Sequence, residues 1–155
     1  MNPPSPENED GIAAAQSTLD AKRRRHHPHC VVCSHANRHG LRLTFAAGDH
    51  GSVSAVFPCA NSFEGYAGVV HGGIISSLLD GAMTNCLFAR GIAAVTAELT
   101  VRFRRLLRIG ERARVRAWIT RSTPHLYFLA AEITQSGKVA ATAQAKFRRL
   151  QNPIL

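Results

Sequence analysis

Lysine is almost missing from this 155-residue chain: Lys22, Lys138 and Lys146 are its only three. With 19 Lys+Arg against 10 Asp+Glu and a net charge of +9, the positive excess is nearly all guanidinium. The planar arginine fork suits phosphate, so this charge fits a phosphate-bearing ligand or simply a solvated basic surface. No apolar run approaches the ~20 residues of a membrane span, and no secretory apolar region follows the start. A protein of the cytoplasm without a membrane partner is expected. Aromatic residues are also scarce: Trp118 is the single tryptophan, and Phe103 and Phe147 fall on the apolar side of their alternation. Single-stranded nucleic acid is bound by exposed aromatics set among the charges, so nucleic acid is an unlikely partner here.

Four cysteines (Cys30, Cys33, Cys59 and Cys86) are too few for a disulfide framework in a chain of this length. Cys30-x-x-Cys33 has His26, His27, His29, His35 and His39 around it. Zinc asks for four tetrahedral ligands, and neither a second cysteine pair nor a spaced histidine pair follows. No metal is therefore expected.

The periods along the chain describe an α+β protein. Residues 1–25 read as a tail, polar and proline-rich at first, then disordered or loosely helical up to Lys22-Arg-Arg-Arg25. Leu41, Leu43 and Phe45 alternate with polar residues, as do Val53, Ala55 and Phe57 after Gly48-Asp-His-Gly51, which predicts a strand, a turn and a second strand. A helix is predicted from about Gly73 to Arg90, its apolar residues covering more than one face, so that other elements must wrap it. Four more alternating segments follow, read as a meander of antiparallel strands. The expected architecture is one sheet of about six antiparallel strands curved round one long helix.

The chemistry concentrates where that helix begins. Gly68-Val-Val-His71-Gly72-Gly73 is a glycine-rich turn opening into a helix, and backbone amides at a helix N-terminus form a site for an oxyanion. Asp80 is then the one carboxylate in a helix otherwise almost wholly apolar, where acids rarely serve stability. Together they point to acyl transfer. Gly72 and Asp80 are eight residues apart, about 12 Å along a helix. One carbonyl cannot touch both in one subunit, so a site using both must be built from two chains.

The run from Phe63 to Met83, with Thr96-Ala-Glu-Leu-Thr-Val-Arg-Phe103 and Arg108-Ile-Gly110 after it, resembles the hotdog-fold acyl-CoA thioesterases, in particular the phenylacetate-pathway type. Cys30-Val-Val-Cys-Ser-His-Ala-Asn37 resembles a lead-in found in one branch of these relatives, and the likeness spans residues 30–148. It implies a hotdog domain over residues 26–155 that hydrolyses an acyl-CoA to free acid and coenzyme A. In that role the Gly72 amide holds the oxyanion, and His71 orients the turn. Asp80 of the partner subunit acts as base or nucleophile, and Thr96 steadies the carboxylate or its water. Gly73, Phe63, Tyr66 and Met83 would line the substrate site, and Arg102 and Arg104 would contact coenzyme A. No cofactor is implied beyond the coenzyme A of the substrate, and the assembly would be a homodimer or homotetramer. A non-catalytic acyl-CoA-binding hotdog protein is the alternative, against which the presence of Asp80 argues. The chain departs from the pattern at Gly65, where some relatives carry asparagine, at Gly81, where many carry glutamate, and at Leu106, where proline is usual.

Overall fold

The computed structural model describes residues 6–151. Residues 1–5 of the expected tail and 152–155 of the expected domain lie outside the described residues. Two helices, α1 (Pro6–His26) and α2 (Gly72–Ala89), accompany six strands: β1 (Ala46–Ala47), β2 (Val53–Phe57), β3 (Ala94–Phe103), β4 (Ala113–Ser122), β5 (Leu126–Gln135) and β6 (Lys138–Arg149). The strands form one antiparallel sheet in the order β1-β2-β4-β5-β6-β3. α2 packs against it, burying every residue from Gly81 to Ala89 together with Ile75, Leu78 and Leu79. Strand residues that alternate inward, among them Val115, Ala117, Leu129, Ala131, Ile133, Ala143 and Phe147, complete that core. The central helix is thus wrapped as its apolar circumference requires.

Three expectations are corrected. The last four strands are not a simple meander: β4, β5 and β6 are, but β3 pairs with β6 and lies at the sheet's edge, away from β4. Alternation sets which face of a strand is buried and carries no information about its neighbour. The segment Leu41–Phe45 buries its alternate residues as predicted, yet pairs with no strand. The amides of Leu41 and Leu43 instead donate to the carbonyls of Val31 and Val32 (2.7 and 2.9 Å), which leaves β1 only two residues long.

The third correction concerns the tail. From Pro6 to His26 the chain is helical, and Leu19 is wholly buried against α2 and its surroundings. So few apolar side chains make the segment look solvated; polar contacts do much of the docking. Gln16 donates to the Phe45 carbonyl (3.2 Å) and accepts from the Ala47 amide (2.7 Å), and Arg23 donates to the Cys33 carbonyl (3.1 Å).

Gly81 has a use that helix propensity hides. A Cβ there would fall well inside van der Waals contact distance of Val32 Cγ1, and Val32 is buried and β-branched, hence stiff. The glycine lets the lead-in lie directly on α2. Gly81→Ala is expected to lower stability by about 1–2 kcal/mol, an overpacking loss of ~1–3 kcal/mol partly offset by ~1 kcal/mol of helix propensity. A lower urea midpoint with unchanged slope would show it.

Candidate active site

The loop before α2 is held tightly enough to fix the helix start. Glu64 Oε1 accepts from the Gly68 amide (2.6 Å), Gly65 N–H donates to the Val69 carbonyl (2.8 Å), and His71 N–H donates to the Phe63 carbonyl (2.9 Å). Gly68 takes φ +75°, which favours glycine at the turn. Gly65 lies against His71: a Cβ there would come within 3.1 Å of the His71 Cα and 3.2 Å of its ring. Asparagine at this position would require His71 to give by a few tenths of an ångström.

His71 is the N-cap of α2, with φ −62° and ψ 136°, and its Nδ1 accepts from the Gly73 amide at 2.9 Å. The amides of Ile74 and Ile75 both donate to the His71 carbonyl (3.0 and 3.1 Å). The Ile75 bond is the first of the regular helix ladder; with the His71 amide on the Phe63 carbonyl, the amides of His71, Gly73 and Ile74 account for three of the four that a helix start leaves open. The remaining one, Gly72 N–H, has no acceptor among the described residues. Gly73 is occupied by the cap, and Gly72 alone offers a donor at the positive end of the helix. The ring of Phe103 stands beside it, 3.5 Å from where a Cβ on Gly72 would sit.

Two turns further along α2, Asp80 is half-buried and its Oδ1 accepts from Thr96 Oγ1 at 2.6 Å. Burial raises the Asp80 pKa above the ordinary carboxylate value; the Thr96 hydrogen bond works in the opposite direction. The partnership depends on an irregularity in β3. Its register against β6 shifts between Thr96 and Glu98. Thr96 lies opposite buried Phe147, and past the shift Leu99, Val101 and Phe103 lie opposite Ala145, Ala143 and Ala141. Glu98 points outward to Lys146 (2.7 Å). The bulge at Ala97 changes the phase of the strand and brings Thr96 to the helix side, a device that re-aims a side chain. Strict alternation places Thr96 with the outward residues, and no residue type in the sequence marks the bulge.

The other expected residues divide. Phe63 is half-buried against Phe57, with ring centroids 5.3 Å apart, and Tyr66 is 88% exposed on the same loop. Met83 is wholly buried in the core, so in a single chain it is packing rather than pocket wall. Arg102 pairs across the sheet with Thr142 on the face turned away from α2, and Arg104 Nε donates to Thr142 Oγ1 at 3.3 Å. Among the described residues neither arginine pairs with Asp80. β3 itself is notable: as the terminal strand it leaves ten residues without an outer partner, with Val95 and Phe103 43% and 56% exposed. Among the described residues, no helix is long and apolar enough to cross a membrane.

The thioesterase superfamily model matches residues 67–142, the stretch from the glycine turn to the middle of β6. Over this stretch, just under half of the chain, the sequence matches the thioesterase superfamily, and the fold is the hotdog fold. Solved structures agree in fold. The PaaI protein of the Escherichia coli phenylacetic acid degradation operon superposes with a TM-score of 0.77 at 20% identity, over 93% of this chain and 99% of that one. A phenylacetic acid degradation-related protein from Ralstonia eutropha gives a TM-score of 0.64 at 27% identity, over 70% of this chain and 85% of that one. A Streptococcus mutans protein solved with acetyl-CoA bound gives 0.66 at 16% identity, over 70% and 88%. No curated protein matches the sequence.

Proposed function

We propose that this thioesterase hydrolyses acyl-CoA thioesters at a site shared by two subunits, with Gly72 from one and Asp80 from the other. The observation that carries the proposal is Asp80 itself. It is a half-buried carboxylate held by a threonine hydroxyl, on the same helix whose first amide is left without an acceptor. Eight residues separate the two groups, about 12 Å along the helix, so one carbonyl reaches both only across a subunit boundary. The open edge and exposed apolar side chains of β3 support self-association, since a long bare edge strand invites pairing.

In this reading the thioester oxygen lies on the Gly72 amide, where the helix dipole favours the charge that develops. Thr96 fixes Oδ1 of Asp80, which leaves Oδ2 to take a proton from water. The water oxygen bonds to the carbonyl carbon, the oxyanion forms on Gly72, and its collapse breaks the carbon–sulfur bond. The coenzyme A thiolate then receives the proton from Asp80. A raised pKa makes the carboxylate a stronger base. Free-thiol release from a panel of short, medium, long and aryl acyl-CoAs tests the activity; silence across the whole panel would sink it.

The base must be ionised, so the rate falls as pH drops through the Asp80 pKa, and burial places that limb above the ordinary carboxylate range. Thr96→Val removes the hydrogen bond that opposes burial. It is expected to move the acid limb to still higher pH and to slow turnover by about tenfold, as loss of a hydrogen bond to a charged group does. A pH–rate profile of kcat for both proteins would check this.

A further inference from the structure

The chain between α1 and the segment Leu41–Phe45 brings together three soft donors. His27 Nδ1, Cys30 Sγ and Cys33 Sγ lie within 4.8 Å of one another. The sequence offers five nearby histidines and no means to choose among them; the fold chooses His27, whose Nδ1 is 3.5 Å from Cys33 Sγ. A tetrahedral ion with Zn–N about 2.0 Å and Zn–S about 2.3 Å sets an N···S edge of roughly 3.5 Å. The spacing is already that of two ligands on one metal.

The surroundings fit thiolate ligands. Cys30 and Cys33 occupy a tight turn in which the Ser34 amide donates to the Cys30 carbonyl at 3.1 Å. The backbone amide of Val32 donates to the Cys30 sulfur (3.3 Å), a donor of the sort that stabilises a metal-bound thiolate. His27 is braced edge-on against Phe88 of α2, ring centroids 4.8 Å apart, which fixes its plane. Asn85, also on α2, wholly buried and beside Cys33, donates its Nδ2 to the Gly81 carbonyl at 2.8 Å. Its Oδ1 has no partner among the described residues. Buried polar atoms are nearly always paired, so this one marks a place where the apo arrangement is incomplete.

We propose that His27, Cys30 and Cys33 bind one zinc ion per chain, with water as the fourth ligand. Two thiolates and an imidazole are the donors borderline-soft Zn²⁺ takes, and a harder ion such as Mg²⁺ does not. The metal would tie the end of α1 and the cysteine turn to α2 on the side that carries Asp80. It is a site distinct from the Gly72 amide and does not depend on the thioesterase reading.

The test uses the full-length reduced protein after chelator treatment, titrated with Co²⁺ as a spectroscopic stand-in. The expected result is saturation at one Co²⁺ per chain, with the visible bands of a tetrahedral ion and sulfur-to-cobalt charge transfer, both bleached by added Zn²⁺. Zn²⁺ should also raise the thermal midpoint by about 5–10 °C. Cys30→Ser, at a half-exposed position, should remove much of the charge-transfer band, and His27→Gln should keep that band but weaken binding at least ~10-fold. Failure of the reduced wild type to take up Co²⁺ or Zn²⁺ overturns the proposal, with no variant needed. Uptake unchanged in Cys30→Ser overturns it as well, as does a chain that yields only a Cys30–Cys33 disulfide.

Discussion

Asp80→Asn is expected to lower kcat by about 10²–10⁴-fold, the range for loss of a positioned general base, while the protein folds at least as well as the wild type. Asparagine keeps an oxygen for the Thr96 hydroxyl (2.6 Å in the native site) and removes only the charge. The stability half of this expectation follows from the direction of the pKa. Burial raises the Asp80 carboxyl in the folded state. Below its unfolded pKa the group is protonated in both states and carries no penalty. As pH rises through the unfolded and then the folded pKa, the unfolded chain ionises first and stability is lost. The urea midpoints of Asp80→Asn and wild type should therefore agree at low pH and diverge toward neutrality, with the variant higher. A variant that is inactive because it is unfolded would show the reverse.

Gly72→Pro should be the second large loss, about 10²–10³-fold in kcat, as when one oxyanion donor is removed. Proline deletes the amide hydrogen and little else here. Gly72 is the first residue of α2, where proline is favoured because its missing N–H would be unpaired in any case. His71 before it already has the extended conformation that a following proline demands, with φ −62° and ψ 136°. The nearest side-chain atom to a Cβ at position 72 is Phe103 Cζ at 3.5 Å, an ordinary contact. Circular dichroism and the thermal midpoint should change little while thiol release collapses. Gly72→Ala, which keeps the amide, should retain most of the activity.

Much of this site was legible because it is written in local chemistry. The His71-Gly72-Gly73 turn, the apolar helix and its lone Asp80 are contiguous, and their roles follow from helix geometry. What stayed hidden is what depends on contacts across the fold. The bulge at Ala97 that turns Thr96 toward Asp80 leaves no mark in residue type. The edge position of β3 is a matter of strand order, which alternation does not encode. The docking of α1 rests on Leu19 and on hydrogen bonds from Gln16 and Arg23 to distant backbone, so its sequence resembles a solvated tail. The need for glycine at position 81 comes from Val32, which lies against it across the fold. The selection of His27 from five candidate histidines is likewise a property of the packed turn.

The central claim is that one catalytic unit takes Gly72 from one chain and Asp80 from another. The most direct measurement is thiol release by Asp80→Asn and Gly72→Pro chains co-expressed and purified as mixed assemblies. In a mixed dimer one site holds both defects and the other holds neither, so random pairing of two inactive parents should restore about a quarter of wild-type activity. Activity that stays at the level of either parent alone, in assemblies shown to contain both chains, would place Gly72 and Asp80 in the same subunit's site and contradict the account.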